Sequence, residues 1–257
     1  MKYDVSICLA AIRTEFWTEF YNTASLACKD KTFEVVFCGP YDVPVELKEK
    51  DNIKFVQDFG SPTRCMQLAS MQCEGELIAN ASDDGIWVED SMSKAINMYN
   101  EQCKDGDGLI LRYTEGYGRP AWTKFHAKDK CWNSHSYPPV RKLQGVKGHF
   151  RHGTWMIKLS EFRRLGGLDC KYGAMNFSSI DLLHRMQAHG GTMYLSPTFV
   201  QNYGFDPHSP YYKFIQDSSN YGWTLFEKDW ITDNDRYIIP FDTWKDSPEK
   251  WARFSNV

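Results

Sequence analysis

The feature that most constrains this chain is an alternation in its first half, where short apolar runs are separated by stretches of helical spacing. Residues 5–10 read as a strand. Phe16, Phe20, Ala24 and Ala27 then recur on one helical face, and residues 33–38 read as a second strand stopped by Gly39-Pro40. Residues 53–56 form a third. Pro62 suits the first turn of a helix that turns Met66, Ala69 and Cys73 inward, and residues 77–81 form a fourth strand. Neighbouring parallel strands need long crossovers, which helices supply. The pattern therefore predicts an α/β fold with a mostly parallel mixed sheet flanked by helices.

The second half is less regular. A helix from 91 to about 104 carries Met92, Ala95, Ile96, Tyr99 and Cys103 on one side, followed by a strand at 109–113. Residues 115–150 are rich in Gly, Pro, Trp and Lys without a clear period, which suits a long functional loop. A strand at 154–159 leads into a short helix capped by Ser160 and ended by Gly166-Gly167. A helix over about 179–189 and short strands at 192–195 and 199–202 follow. The aromatic tail, residues 206–257, is expected to pack back on the same domain.

Composition excludes several classes. With 42% hydrophobic and 25% charged residues, the 257-residue chain is neither disordered nor short of core. Its apolar runs fall far below the roughly 20 residues of a membrane span. Eight cysteines without a Cys-x-x-Cys pair read as reduced thiols, and with no signal-like segment the expected location is cytoplasmic. A net charge of −3 excludes general polyanion binding. Residues 112–164, however, hold twelve Lys/Arg against three acids, interleaved with aromatics.

The fourth strand runs into Ser82-Asp83-Asp84-Gly85. Carboxylates at a strand end of an open α/β sheet face the crevice where such folds bind ligands. One or two of them suit Mg²⁺ or Mn²⁺, hard ions that neutralise a departing diphosphate. The same four residues are also ordinary turn chemistry.

Other blocks bear on that choice. Gly60-Ser61-Pro62-Thr63-Arg64 precedes Cys73-Glu74-Gly75-Glu76-Leu77 and the acidic turn; Gly166-Gly167-Leu168-Asp169, Ile180-Asp181 and Arg185 with Gly190 follow. In this order the chain resembles the family-2 glycosyltransferases of the GT-A fold over about residues 4–204. The resemblance implies a Rossmann-like GT-A domain at 1–205, with a nucleotide-sugar half at about 1–90 and an acceptor half at about 91–205. It further implies a metal-dependent, inverting transfer from a nucleoside-diphosphate sugar, UDP-sugar first, to a glycan hydroxyl.

Residue by residue, the resemblance makes Asp83 the metal-binding end of an Asp-x-Asp-like motif whose first position here is Ala81. Asp84 is placed beside the sugar, and Arg64 near the diphosphate or base. Ala10, Ala11 and Arg13 match the nucleotide-contacting end of the first strand, and Asp42 stands in for a base-recognising acid. Asp181 matches the general base that would take the acceptor's proton. It is expected at a helix start, where the dipole favours the ionised form. His208 is the candidate additional metal ligand; Trp155, His152 and Asp169 are acceptor-side candidates.

The basic aromatic segment 112–164 also suits DNA with hydroxymethylated bases as acceptor. A non-catalytic sugar-binding or scaffold protein is the alternative of another class, motivated by Ala81. A nucleotidyltransferase is disfavoured, since residues 9–16 hold no glycine for a phosphate loop.

Overall fold

Five consecutive residues of the first strand, from Val5 to Leu9, are buried, because helices cover both faces of the sheet at this point. The computed structural model describes residues 2–116, 154–173, 175–204, 225 and 238–247. Its strands are β1 (Tyr3–Ala10), β2 (Phe33–Gly39), β3 (Ile53–Gln57), β4 (Gly75–Asn80), β5 (Gly85–Trp87), β6 (Gly108–Gly116), β7 (Trp155–Lys158) and β8 (Met193–Gly204). The helices are α1 (Thr14–Ala27), α2 (Val45–Lys48), α3 (Pro62–Met71), α4 (Ser91–Gln102), α5 (Leu159–Arg164) and α6 (Met175–Ala188).

Alternation along β1 divides the core. Val5, Ile7 and Leu9 join Trp17, Phe20, Ala24 and Ala27 of α1, with Trp17 stacked on Phe37 at 4.6 Å. Cys8 faces the other layer with Val36, Ile78 and the α3 residues Cys65, Met66 and Ala69. α3 begins where its sequence dictates: the Ser61 hydroxyl accepts the Arg64 N–H at 3.2 Å and Pro62 occupies the first turn.

The eight strands form one sheet in the order β3-β2-β1-β4-β7-β6-β8-β5. β3, β2, β1 and β4 are parallel, as the alternation predicts. The rest corrects the expected mostly parallel, Rossmann-like GT-A sheet. β7 runs against both its neighbours, and β5 runs against β8, so three of the seven neighbouring pairs are antiparallel. Inserting β7 between β4 and β6 ends the doubly wound progression, and the sheet is mixed.

Other boundaries shift as well. Ser160 lies inside α5, whose N-cap position is Lys158 with no side-chain cap. Gly166 and Gly167 do end that helix region, with φ of +89° and +70°. The two short strands expected at 192–195 and 199–202 are one strand, β8, paired with β6 through register shifts near Arg112. No helix among the described residues is long and apolar enough to cross a membrane.

Candidate functional site

The strand order reverses between β1 and β4: β1 leads outward through β2 to β3, and α3 carries the chain back to β4 on β1's other side. Such a switch point opens a crevice at the carboxyl ends of the strands. A small, partly open hollow lies there, lined by Ala10, Ala11, Ile12, Cys38, Pro40, Gly60, Pro62, Cys65 and Asp83. Its wall is mostly apolar. The Cys38 thiol is pushed up by its hydrogen bond with Cys65 and by burial, so it too presents a neutral surface. Gly39 lets the β1 end approach: a Cβ at this position would lie 1.8 Å from the Ala11 carbonyl oxygen.

The polar side of the crevice is the acidic turn, and Arg13 holds it. Asp83 Oδ2 accepts the backbone N–H groups of Ile12 and Arg13, each at 2.7 Å. Its Oδ1 accepts Arg13 Nε at 2.8 Å and Arg13 Nη2. Arg13 Nη1 donates to Asp84 Oδ2 at 2.9 Å, Nη2 also donates to Ser82 Oγ at 3.1 Å, and the Ser82 hydroxyl donates to Asp84 Oδ1 at 2.6 Å. The Asp83 side chain is 2% exposed and that of Arg13 26%. Burial raises the Asp84 carboxyl above its usual range, against the pull of Arg13 and with Asp83 adding to the rise.

This arrangement corrects the reading of an Asp-x-Asp-like, metal-binding motif. All four carboxylate oxygens of Asp83 and Asp84 already accept hydrogen bonds. No group of three or more His, Cys, Asp or Glu residues among the described residues could hold a metal. His208, the expected further ligand, lies outside the described residues, as do His152 and most of the basic segment 112–164.

The remaining site residues fall in different places. Arg64 does not line the crevice. Its Nε and Nη2 contact Asp58 at 2.9–3.1 Å, its Nη1 donates to the Trp244 carbonyl at 2.7 Å, and its guanidinium lies 5.2 Å from the Trp244 ring centroid. Asp58, which sequence reasoning missed, also accepts the Gly60 N–H at 2.8 Å and so shapes the loop bordering the crevice. Its signal was a carboxylate just beyond β3, six residues before Arg64. Asp42 is 69% exposed and pairs with Lys48 at 2.5 Å, which lowers its carboxyl; it does not line the crevice either.

Asp181 lies within α6 rather than at its start. It is fully buried and accepts Arg185 Nε at 2.9 Å. Arg185 in turn donates to the carbonyls of Leu165 and Gly167 at 2.5 and 2.6 Å, tying α6 to the end of α5. Asp169 accepts the Lys171 N–H at 3.0 Å. Trp155 is buried; its N–H donates to Asn80 Oδ1 at 2.6 Å and its indole to Ser179 Oγ at 3.2 Å.

No protein-family model matches the chain, and no curated protein matches it in sequence. Solved structures do match in fold. The crystal structure of S. aureus TarS 1–349 superposes with a TM-score of 0.57 at 15% identity, over 92% of this chain and 67% of that one. The same fragment with UDP gives 0.58 at 15% over 92% and 68%, and with UDP-GlcNAc 0.55 at 13% over 92% and 68%. In a further crystal structure of S. aureus TarS, the match covers 41% of that chain, at 16% identity and a TM-score of 0.56. The similarity is thus one of fold, to TarS. The family-2, GT-A assignment drawn from the sequence blocks is corrected accordingly: no family model carries it, and the mixed sheet departs from the one it implies.

Proposed function

We propose that this chain is a glycosyltransferase that passes a sugar from a UDP-sugar to a hydroxyl of a glycan acceptor. The observation that carries the reading is the crevice at the β1/β4 switch point, in a fold shared with a protein crystallised with UDP and with UDP-GlcNAc. Its apolar wall with few polar groups is typical of ligand sites.

In this reading the uridine lodges among Ala10, Ala11, Ile12, Cys38 and Pro40. The acceptor oxygen attacks the sugar's anomeric carbon as the bond to the diphosphate breaks. UDP leaves with the electron pair, and the acceptor proton passes to a base on the acceptor side of the crevice. Single displacement of this kind inverts the anomeric centre. Arg185 pairs with the buried Asp181, and through the Leu165 and Gly167 carbonyls it fixes the turn that carries Asp169.

Thermal unfolding with UDP, UDP-GlcNAc and other nucleotide-sugars tests the reading. A ligand at 100 times its Kd stabilises by about 2.7 kcal/mol. Uridine nucleotides should raise the melting temperature, and UDP should be released when donor and glycan are combined. Absence of both shift and release for every uridine donor sinks the proposal.

A further inference from the structure

We propose that Arg13 is the resident cation of the acidic turn, so that nucleotide binding at this crevice needs no divalent metal. The proposal deepens the glycosyltransferase reading and rests on the crevice being its donor site.

The turn is built around a guanidinium. Mg²⁺ and Mn²⁺ need carboxylate lone pairs directed at one point, at about 2.0–2.1 Å for the smaller ion. Asp83 instead spends Oδ2 on two backbone N–H groups and Oδ1 on Nε and Nη2 of Arg13. Asp84 spends Oδ2 on Nη1 and Oδ1 on the Ser82 hydroxyl. The planar fork of arginine matches this demand, bridging two carboxylates and a hydroxyl at once.

Sequence order enforces the arrangement. Arg13 sits at the N-cap position of α1, three residues past the end of β1, and its own N–H donates to the carboxylate that its side chain grips. Backbone and side chain therefore close on Asp83 together. A dication beside these two carboxylates would also meet the guanidinium's positive charge at close range, where Coulomb repulsion is strong in a partly buried site. With the cation covalently part of the chain, a chelator has nothing to remove.

Mn²⁺ titration of the nucleotide-free protein, followed by the EPR signal of the free ion, tests the assignment without any activity. The parent protein should leave the signal undiminished. Arg13→Ala and Arg13→Gln should each take up one ion per chain, and adding Asp83→Asn should abolish that uptake; Arg13→Lys, which keeps the charge, should behave as the parent. Circular dichroism establishes that each variant is folded. In parallel, the UDP-induced melting shift of the parent should be the same in EDTA as in Mn²⁺, and should become EDTA-sensitive in Arg13→Ala. Uptake by the parent that disappears with Asp83→Asn overturns the proposal, as do folded Arg13→Ala and Arg13→Gln proteins that bind no Mn²⁺. If UDP shifts no protein at all, the donor-site reading fails while the Mn²⁺ titration still decides who holds the turn.

Discussion

Gly39→Ala should be among the most damaging single-methyl additions the chain can receive. The added Cβ would stand 1.8 Å from the Ala11 carbonyl oxygen and 3.0 Å from its carbon, and both are backbone atoms. Real Cβ atoms essentially never approach within 3.0 Å, so the β1 end and the β2 end must part by more than an ångström. That separation breaks or stretches the bond in which the Ala11 N–H donates to the Cys38 carbonyl at 2.8 Å. Overpacking costs about 1–3 kcal/mol, and a lost buried hydrogen bond about 1 kcal/mol more. A total of about 2–4 kcal/mol corresponds to a melting shift on the order of 10 °C for a domain of this size. Gly190→Ala is the internal comparison: nothing lies within 4 Å of its Cβ, and its φ of +87° leaves only backbone strain, about 1 kcal/mol. Urea unfolding of both variants, with UDP binding measured alongside, should show Gly39→Ala several-fold more destabilised and impaired in binding. Equal stabilities, or full nucleotide binding by Gly39→Ala, would refute the claim that this backbone approach builds the crevice.

Two further predictions concern charge. Arg64→Met leaves Asp58 without its main partner; because Arg64 is 26% exposed, solvent softens the loss to about 1–2 kcal/mol, well below that of a fully buried pair. A double-mutant cycle with Asp58→Asn should return a coupling of about 1 kcal/mol, and additive effects would mean that the pair holds nothing. Asp84 sets a pH dependence. Its carboxyl is raised in the folded state, so the folded chain holds that proton more tightly than the unfolded chain does. The group's stabilising contribution is full below its ordinary value of 3.8 and is lost as pH rises through the folded-state value. Asp84→Asn stays neutral and escapes that loss. The melting temperature of the variant relative to the parent should therefore climb from pH 4 to pH 8, and a flat difference would contradict the burial argument.

Much of the first half of the fold is legible because its central strands are buried and read as apolar runs. β1 and β2 are covered on both faces and show up as continuous apolar runs, while α1 and α3 announce themselves by period and by Ser61-Pro62. The second half hides what matters. Strand direction leaves no mark on composition, so nothing in Trp155-Met156-Ile157 tells that β7 runs backward. Pro197 interrupts the apolar run of β8, which nevertheless continues, because its pairing with β6 shifts register around that point. β5 is three residues long, too short for any period, and its Gly85 reads as part of a turn. Within the site, the acidic turn was visible as carboxylates at a strand end. Its partner was not, since Arg13 and Asp83 lie 70 residues apart and meet only when β1 and β4 pair. The same holds for Arg64, whose place beside Asp58 was in reach of local sequence but whose contact with Trp244 was not.

The reversal of β7 has a direct bearing on the crevice. Because β7 opposes β4, its first residue lies beside the last residue of β4, and there the Trp155 N–H meets the Asn80 side chain, three residues before Asp83. β6 opposes β7 in turn, and β8 parallels β6, so both finish at the edge where β1 and β4 finish. The carboxyl ends of strands from both halves of the chain therefore gather at one rim of the sheet. A parallel β7 would have sent its start to the opposite rim and left Asn80 without this partner. In the transferase reading, the reversed strand is thus what lets the second half of the chain present an acceptor to a sugar held by the first.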